Sequence, residues 1–125
     1  MYSLIYILLL TWCYPQTGGT WERVEELAGI AADISSTDAS EEEARLLVAI
    51  CVHESRCHTK AVGDGGLSRG AWQVRGRDVG AAGALAKVRW SKAICGDLSA
   101  YAGCGRCGSC PEVVKSLGDP GVPRR

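Results

Sequence analysis

Hydrophobic and polar positions divide the chain into a series of helical blocks. Residues 1–12 are almost continuously apolar and carry no charged side chain. The run from Leu4 to Leu10 is shorter than the roughly 20 residues a relaxed helix needs to cross a bilayer. It has the length of a signal-peptide core, yet no Lys or Arg precedes it and no small-x-small site follows. Two readings stay open: an export leader or membrane tether, or an apolar segment packed on the domain. Pro15-Gln16-Thr17-Gly18-Gly19 then reads as a linker.

Trp21, Val24, Leu27, Ala28, Ala31 and Ile34 recur at helical spacing, which predicts an amphipathic helix with Thr20 as its N-cap. Ser40 and Glu43 have the spacing of a capping box and open a second helix. Residues 44–52 are apolar nearly all round, the pattern of a buried central helix, and they run into His53-Glu54-Ser55. A loop dotted with Gly63, Gly65, Gly66 and Gly70 follows. Residues 79–90 predict a third helix with small residues on one side. Cys95 to Cys110 reads as loop, and 111–117 as a short last helix with Pro111 in its first turn. Alternating β-branched residues are scarce, so the expected fold class is mainly α. The expected organisation is an N-terminal segment and linker over 1–19, one domain over 20–118, and a tail over 119–125.

Composition sharpens this picture. With 125 residues, 46% of them hydrophobic, the chain can bury a single core and does not read as disordered. Its formal net charge is zero, which argues against nucleic acid as a partner. The balance hides a split. Residues 1–56 hold three basic and nine acidic side chains, and 57–125 hold eleven basic and five acidic ones. Such halves either neutralise each other on packing or leave a basic face for an anionic polymer. Seven cysteines imply disulfides in an oxidising compartment or metal chemistry in a reducing one. Cys104, Cys107 and Cys110 have ligand-like spacing, but no clean second pair completes a zinc site, so disulfides are the stronger expectation. Cys51 reads as a small buried residue of its helix.

Glu54 carries the candidate chemistry. A carboxyl ending the most hydrophobic helix is an accident, a buried salt bridge with Arg56 or Arg69, or a working acid whose apolar surroundings favour the protonated form. His53-Glu54 does not make a metalloprotease motif, because His58 follows His53 by five residues rather than four.

The string around Glu54 resembles the core of the soluble lytic transglycosylase-like domains of the lysozyme superfamily. Glu54-Ser55, Ala61, Gly63-Asp64-Gly65-Gly66, Gly70-Ala71-Trp72-Gln73-Val74 and Leu98-Ser99-Ala100-Tyr101-Ala102-Gly103 fill the places of three separated motifs in order, over roughly residues 41–103. The resemblance implies a small lysozyme-like helical domain with a Gly-rich active-site loop. It implies cleavage of the β-1,4 bond between N-acetylmuramic acid and N-acetylglucosamine in peptidoglycan, with Glu54 as general acid and then base. No second carboxylate is demanded, since the substrate's own acetamido group or 6-hydroxyl replaces it. Neither cofactor nor metal is implied. The expected partner is the glycan strand, met by an exported monomer in the periplasm or outside the cell.

Residue chemistry assigns supporting roles. Gln73 offers donor and acceptor groups to a sugar, Trp72 a flat face (or core packing), and Ser55 a hydrogen bond to Glu54 or substrate. Tyr101 is expected to orient Glu54 through its hydroxyl, and Gly70 to let substrate approach the backbone. Trp72, Ala102 and Cys57 stand where the family usually has Met, Asn and an aromatic residue. Two alternatives remain: a hydrolytic muramidase in which Asp64 or Asp78 positions water, and a catalytically weak wall-binding module.

Overall fold

The computed structural model describes residues 1–14, 20–76 and 80–121. The order is α1 (Tyr2–Cys13), α2 (Trp21–Ser35), α3 (Glu41–Ser55), β1 (Val62–Gly63), a 3-10 turn (Asp64–Gly66), β2 (Ser68–Arg69), β3 (Val74–Arg75), α4 (Ala81–Cys95) and α5 (Pro111–Leu117). The described residues are therefore mainly α, with one small antiparallel sheet in the order β1-β2-β3. Its register pairs Val62 with Arg69 and Ser68 with Arg75. The expected linker over 15–19 and residues 122–125 of the expected tail lie outside the described residues.

Local signals account for the helix starts. The Thr20 side chain accepts from the Arg23 N–H at 3.1 Å and caps α2. Ser40 and Glu43 form the reciprocal capping box of α3, at 3.1 and 3.0 Å. α3 supplies the centre of the core, with Leu47, Val48, Ile50 and Cys51 buried. α4 begins at Ala81, whose N–H donates to Asp33 at 2.8 Å, and runs five residues past Trp90 to Cys95. Ala81, Gly83, Ala84 and Leu85 form part of its buried face. Ala81, Gly83 and Ala84 leave little side-chain bulk in its first turn, and Leu85 follows them into the core.

Two helical faces differ from expectation. Trp21 is 72% exposed at the start of α2, and the buried face instead carries Arg23, Leu27, Ile30, Ala31 and Ile34. The apolar N-terminal segment is a helix packed along α2 and against α3, with Ile5, Leu9 and Cys13 inside the common core. No helix among the described residues is long and apolar enough to cross a membrane.

Three disulfides join Cys51–Cys57, Cys95–Cys107 and Cys104–Cys110, leaving Cys13 as a buried thiol. Burial pushes that thiol's pKa up. Cys51 is thus half of a bridge rather than a lone small core residue. Three bridges in so short a chain point to an oxidising, exported environment. Among the described residues no cluster of His, Cys, Asp and Glu could hold a metal ion.

Candidate functional site

The site is built where α3 stops. Glu54 and Ser55 are its last residues, and the chain reverses through Arg56 and Cys57, both left-handed at φ 57° and 59°. Three devices hold this reversal. The Cys51–Cys57 bridge ties the turn to the helix before it. The buried Arg23 guanidinium donates to the Cys57 carbonyl at 2.9 Å and to the Arg56 carbonyl, and pairs with Glu26. Glu26 also accepts from the N–H and hydroxyl of Thr59, at 2.9 and 2.8 Å. Arg23 enters the sequence analysis only as one of the three basic side chains of residues 1–56. Its place one turn before Leu27 on the buried stripe is the signal that marks it as a core residue.

Glu54, Gln73 and Tyr101 come together along one cleft of about 450 Å³. Asp64, Ser68, Arg75 and Lys87 share it. Glu54 is half-buried and faces a polar cleft, not the apolar enclosure expected at the end of so greasy a helix. The sheet forms one wall. Gln73, itself at φ 51°, donates its amide N–H groups to the Ala61 and Gly70 carbonyls at 3.2 and 3.0 Å. The donor role expected for Gln73 is therefore taken up by backbone, and Oε1 is its remaining hydrogen-bonding atom. That oxygen lies against Gly63, 2.5 Å from where a Cβ would stand, so a side chain there would displace the Gln73 amide.

The 95–110 segment forms another wall. Tyr101 is 4% exposed, and its hydroxyl donates to the Trp72 carbonyl at 2.9 Å. Its phenol is anchored to backbone, in place of the expected bond to Glu54. Burial and then the nearby Glu54 charge push the Tyr101 pKa well above its ordinary value, so the ring stays neutral. Lys87 on α4 sets its Nζ 4.4 Å from the centre of that ring.

Asp64 accepts from the Ser68 hydroxyl at 2.6 Å and lies 3.6 Å from Arg75. The Ser68 bond is the main cause of its lowered pKa, with Arg75 and Lys87 acting in the same direction. Asp64 is therefore an ionised carboxylate in the cleft that holds Glu54. Asp78, the other candidate for positioning water, lies outside the described residues.

Three further site residues take other places. Ser55 donates to the Ala71 carbonyl at 2.6 Å and accepts from the His58 N–H at 3.1 Å. It pins the α3 end to the segment before Gln73. Trp72 is 2% exposed, and its indole N–H donates to the Leu47 carbonyl at 2.7 Å. It presents no free face to a sugar, which corrects the stacking role and leaves core packing. Gly70, at φ 82°, is a buried turn residue; it lines a different cavity, of about 790 Å³, against α2. The carboxylates Glu26 and Asp33 of that cavity are engaged with Arg23, Thr59 and the start of α4. These two carboxylates thus serve the framework. The sequence reading missed Arg75, Lys87 and Ser68 as cleft residues, because none belongs to the motifs and each enters only through the sheet register or the α4 face.

Comparison with known proteins brings no match, whether to a family, to a curated protein or to a solved structure.

Proposed function

We propose that this protein is a peptidoglycan-cleaving enzyme, a lytic transglycosylase acting on the β-1,4 bond between N-acetylmuramic acid and N-acetylglucosamine. The observation that carries the reading is the convergence of Glu54, Gln73 and Tyr101, taken from three separate motifs, on one polar cleft. A helix ending on the acid, a small sheet beside it and helices behind are read here as a small lysozyme-like domain. Exported, the enzyme would meet its glycan in the periplasm or outside the cell.

In this mechanism the Glu54 carboxylic acid gives its proton to the glycosidic oxygen as the C1–O bond breaks. The departing sugar leaves as an alcohol. The 6-hydroxyl of the muramyl residue then closes on C1 and returns its proton to the Glu54 carboxylate. The product is a 1,6-anhydro sugar. Gln73 Oε1 offers an acceptor for a hydroxyl or acetamido N–H, and Tyr101 keeps the opposite wall in place.

One observation favours a second reading. Asp64 is ionised and shares the cleft, so it could orient water against C1 and make the enzyme a hydrolytic muramidase. The two reactions need the same proton donor. Glu54→Gln is expected to abolish clearing of purified cell wall, by at least about a hundredfold as for loss of a general acid. Its circular dichroism should match the wild type. Wall clearing retained in that variant would remove Glu54 from the role.

A further inference from the structure

The charges in the cleft are unevenly matched. Arg75 has Asp64 at 3.6 Å, and Asp64 has Ser68 as well. Lys87 forms no ion pair among the described residues, although it is half-buried and lines the same cleft.

Its position is built rather than incidental. Lys87 lies on α4 between the buried Ala84 and Val88, at the edge of the packed face. Its Nζ is seated over the Tyr101 ring, and that ring is fixed at both ends. The Tyr101 hydroxyl donates to the Trp72 carbonyl, and its backbone N–H donates to the Ser91 hydroxyl at 3.0 Å. An ammonium has three donors, and a ring face satisfies only one direction. Partial burial strips water from the others and disfavours the charged form. Burial accordingly pushes the Lys87 pKa down, Glu54 and Asp64 pull it back up, and Arg75 pushes it down further. A neutral saccharide would leave this cation as it is. A saccharide bearing a carboxylate would complete it.

We propose that Lys87 is a specificity-determining residue that selects glycans carrying a carboxylate beside the ring bound in the Glu54 cleft. The inference rests on the glycan reading above and narrows its substrate class to acidic saccharides. Arg75 differs from Lys87 in being paired with Asp64 at 3.6 Å and in having a side chain 67% exposed, so water already solvates its charge. In muramyl glycans the carboxylate comes from the free lactyl group of denuded strands or from the peptide stem when that group is amidated. Both present the same chemistry to an ammonium.

The test is a calorimetric or NMR titration of the full-length protein with N-acetylglucosaminyl-β-1,4-N-acetylmuramic acid. The glycosidic bond of this disaccharide is not the one proposed to be cut, so the wild type serves directly. Its lactyl methyl ester is the neutral control. The acid should bind about tenfold more tightly than the ester, the scale of one charge-assisted hydrogen bond. Lys87→Gln should remove the difference, and Lys87→Arg should keep it. Equal affinity of the wild type for acid and ester would overturn the proposal, as would a preference that survives in Lys87→Gln. A disaccharide-peptide with an amidated lactyl group supports the stem as the source if it keeps the Lys87-dependent advantage, and the lactyl group if it behaves as the ester. Wall cleavage without an acid preference would sink this inference alone. An acid preference without cleavage would sink the reaction and leave the recognition.

Discussion

Side-chain direction decides what each residue of the Glu54 constellation can do. Ser55, Trp72 and Tyr101 all donate to backbone carbonyls, and Gln73 spends its amide hydrogens the same way. The motif around Glu54 is thus largely a scaffold of hydrogen bonds that fixes the chain on either side of the acid. Trp72 gives the sharpest contrast between a wall residue and a binding residue. Trp72→Phe removes the bond to Leu47 and should cost about 1–3 kcal/mol. Denaturant melts should show that loss, while KM for wall fragments stays unchanged. A raised KM with unaltered stability would return Trp72 to the substrate surface. The direction of these side chains was not legible in the sequence. Gln73 adopts φ 51° and Gly70 φ 82°, so the backbone is left-handed on both sides of Ala71 and Trp72. Motif spacing says nothing of that conformation.

At the scale of elements, α3 delivers the acid, and its two ends are held differently. The N-terminal end was readable, because a capping box is local chemistry between Ser40 and Glu43. Tertiary partners were not. Arg89, from α4, forks onto Glu43 at 2.8 and 3.0 Å and reaches Asp38 at 3.0 Å, joining the basic half of the chain to the acidic half. The Arg89 hydrogen bonds, with Ser40 adding to them, lower the Glu43 pKa from 4.5 to about 2. A carboxylate with a depressed folded pKa adds stability above its unfolded pKa and loses it as pH falls toward the folded value. The fold should therefore weaken between about pH 4.5 and 2, and Glu43→Gln should flatten that part of a melting-temperature profile. The side chain of Arg89, the partner of Glu43, is 44% exposed, which makes the effect modest, on the order of 1 kcal/mol or less. An unchanged acid limb in the variant would remove Glu43 from the account. The C-terminal end of α3 was opaque for another reason. Cys57 lies six residues after Cys51, a separation that does not share a helical face, and only the left-handed Arg56 and Cys57 bring the two together.

For the whole molecule, the mainly helical character and the block order followed from periodicity. The merger of the N-terminal helix into the core did not. An apolar run of that length is ambiguous until a partner surface is known, and α2 and α3 supply one. Six cysteines without Cys13 allow 15 pairings; a bridge from Cys95 to the 104–110 group, closing a short loop beside Tyr101, was legible, and the full map was not. The bridges differ in access: Cys51 and Cys57 are buried, whereas Cys107 is exposed. Cys95–Cys107 and Cys104–Cys110 close the segment that carries Tyr101. A mild thiol reductant should open them first, lower stability by roughly 3 kcal/mol for the longer loop, and loosen the cleft wall. Thermal melts and wall-clearing rates with and without reductant should fall together. A fall in stability with full activity at permissive temperature would show that the bridges do not support the site.

The proton donor at the end of α3 is the centre of this account. Its most direct test is mass spectrometry of purified peptidoglycan incubated with the wild type and with Glu54→Gln. The wild type should yield 1,6-anhydromuramyl products, each one water lighter than the hydrolytic product, and the variant should leave the wall intact. Unaltered wall after incubation with the wild type, or the same fragments from both proteins, would contradict the Glu54 assignment.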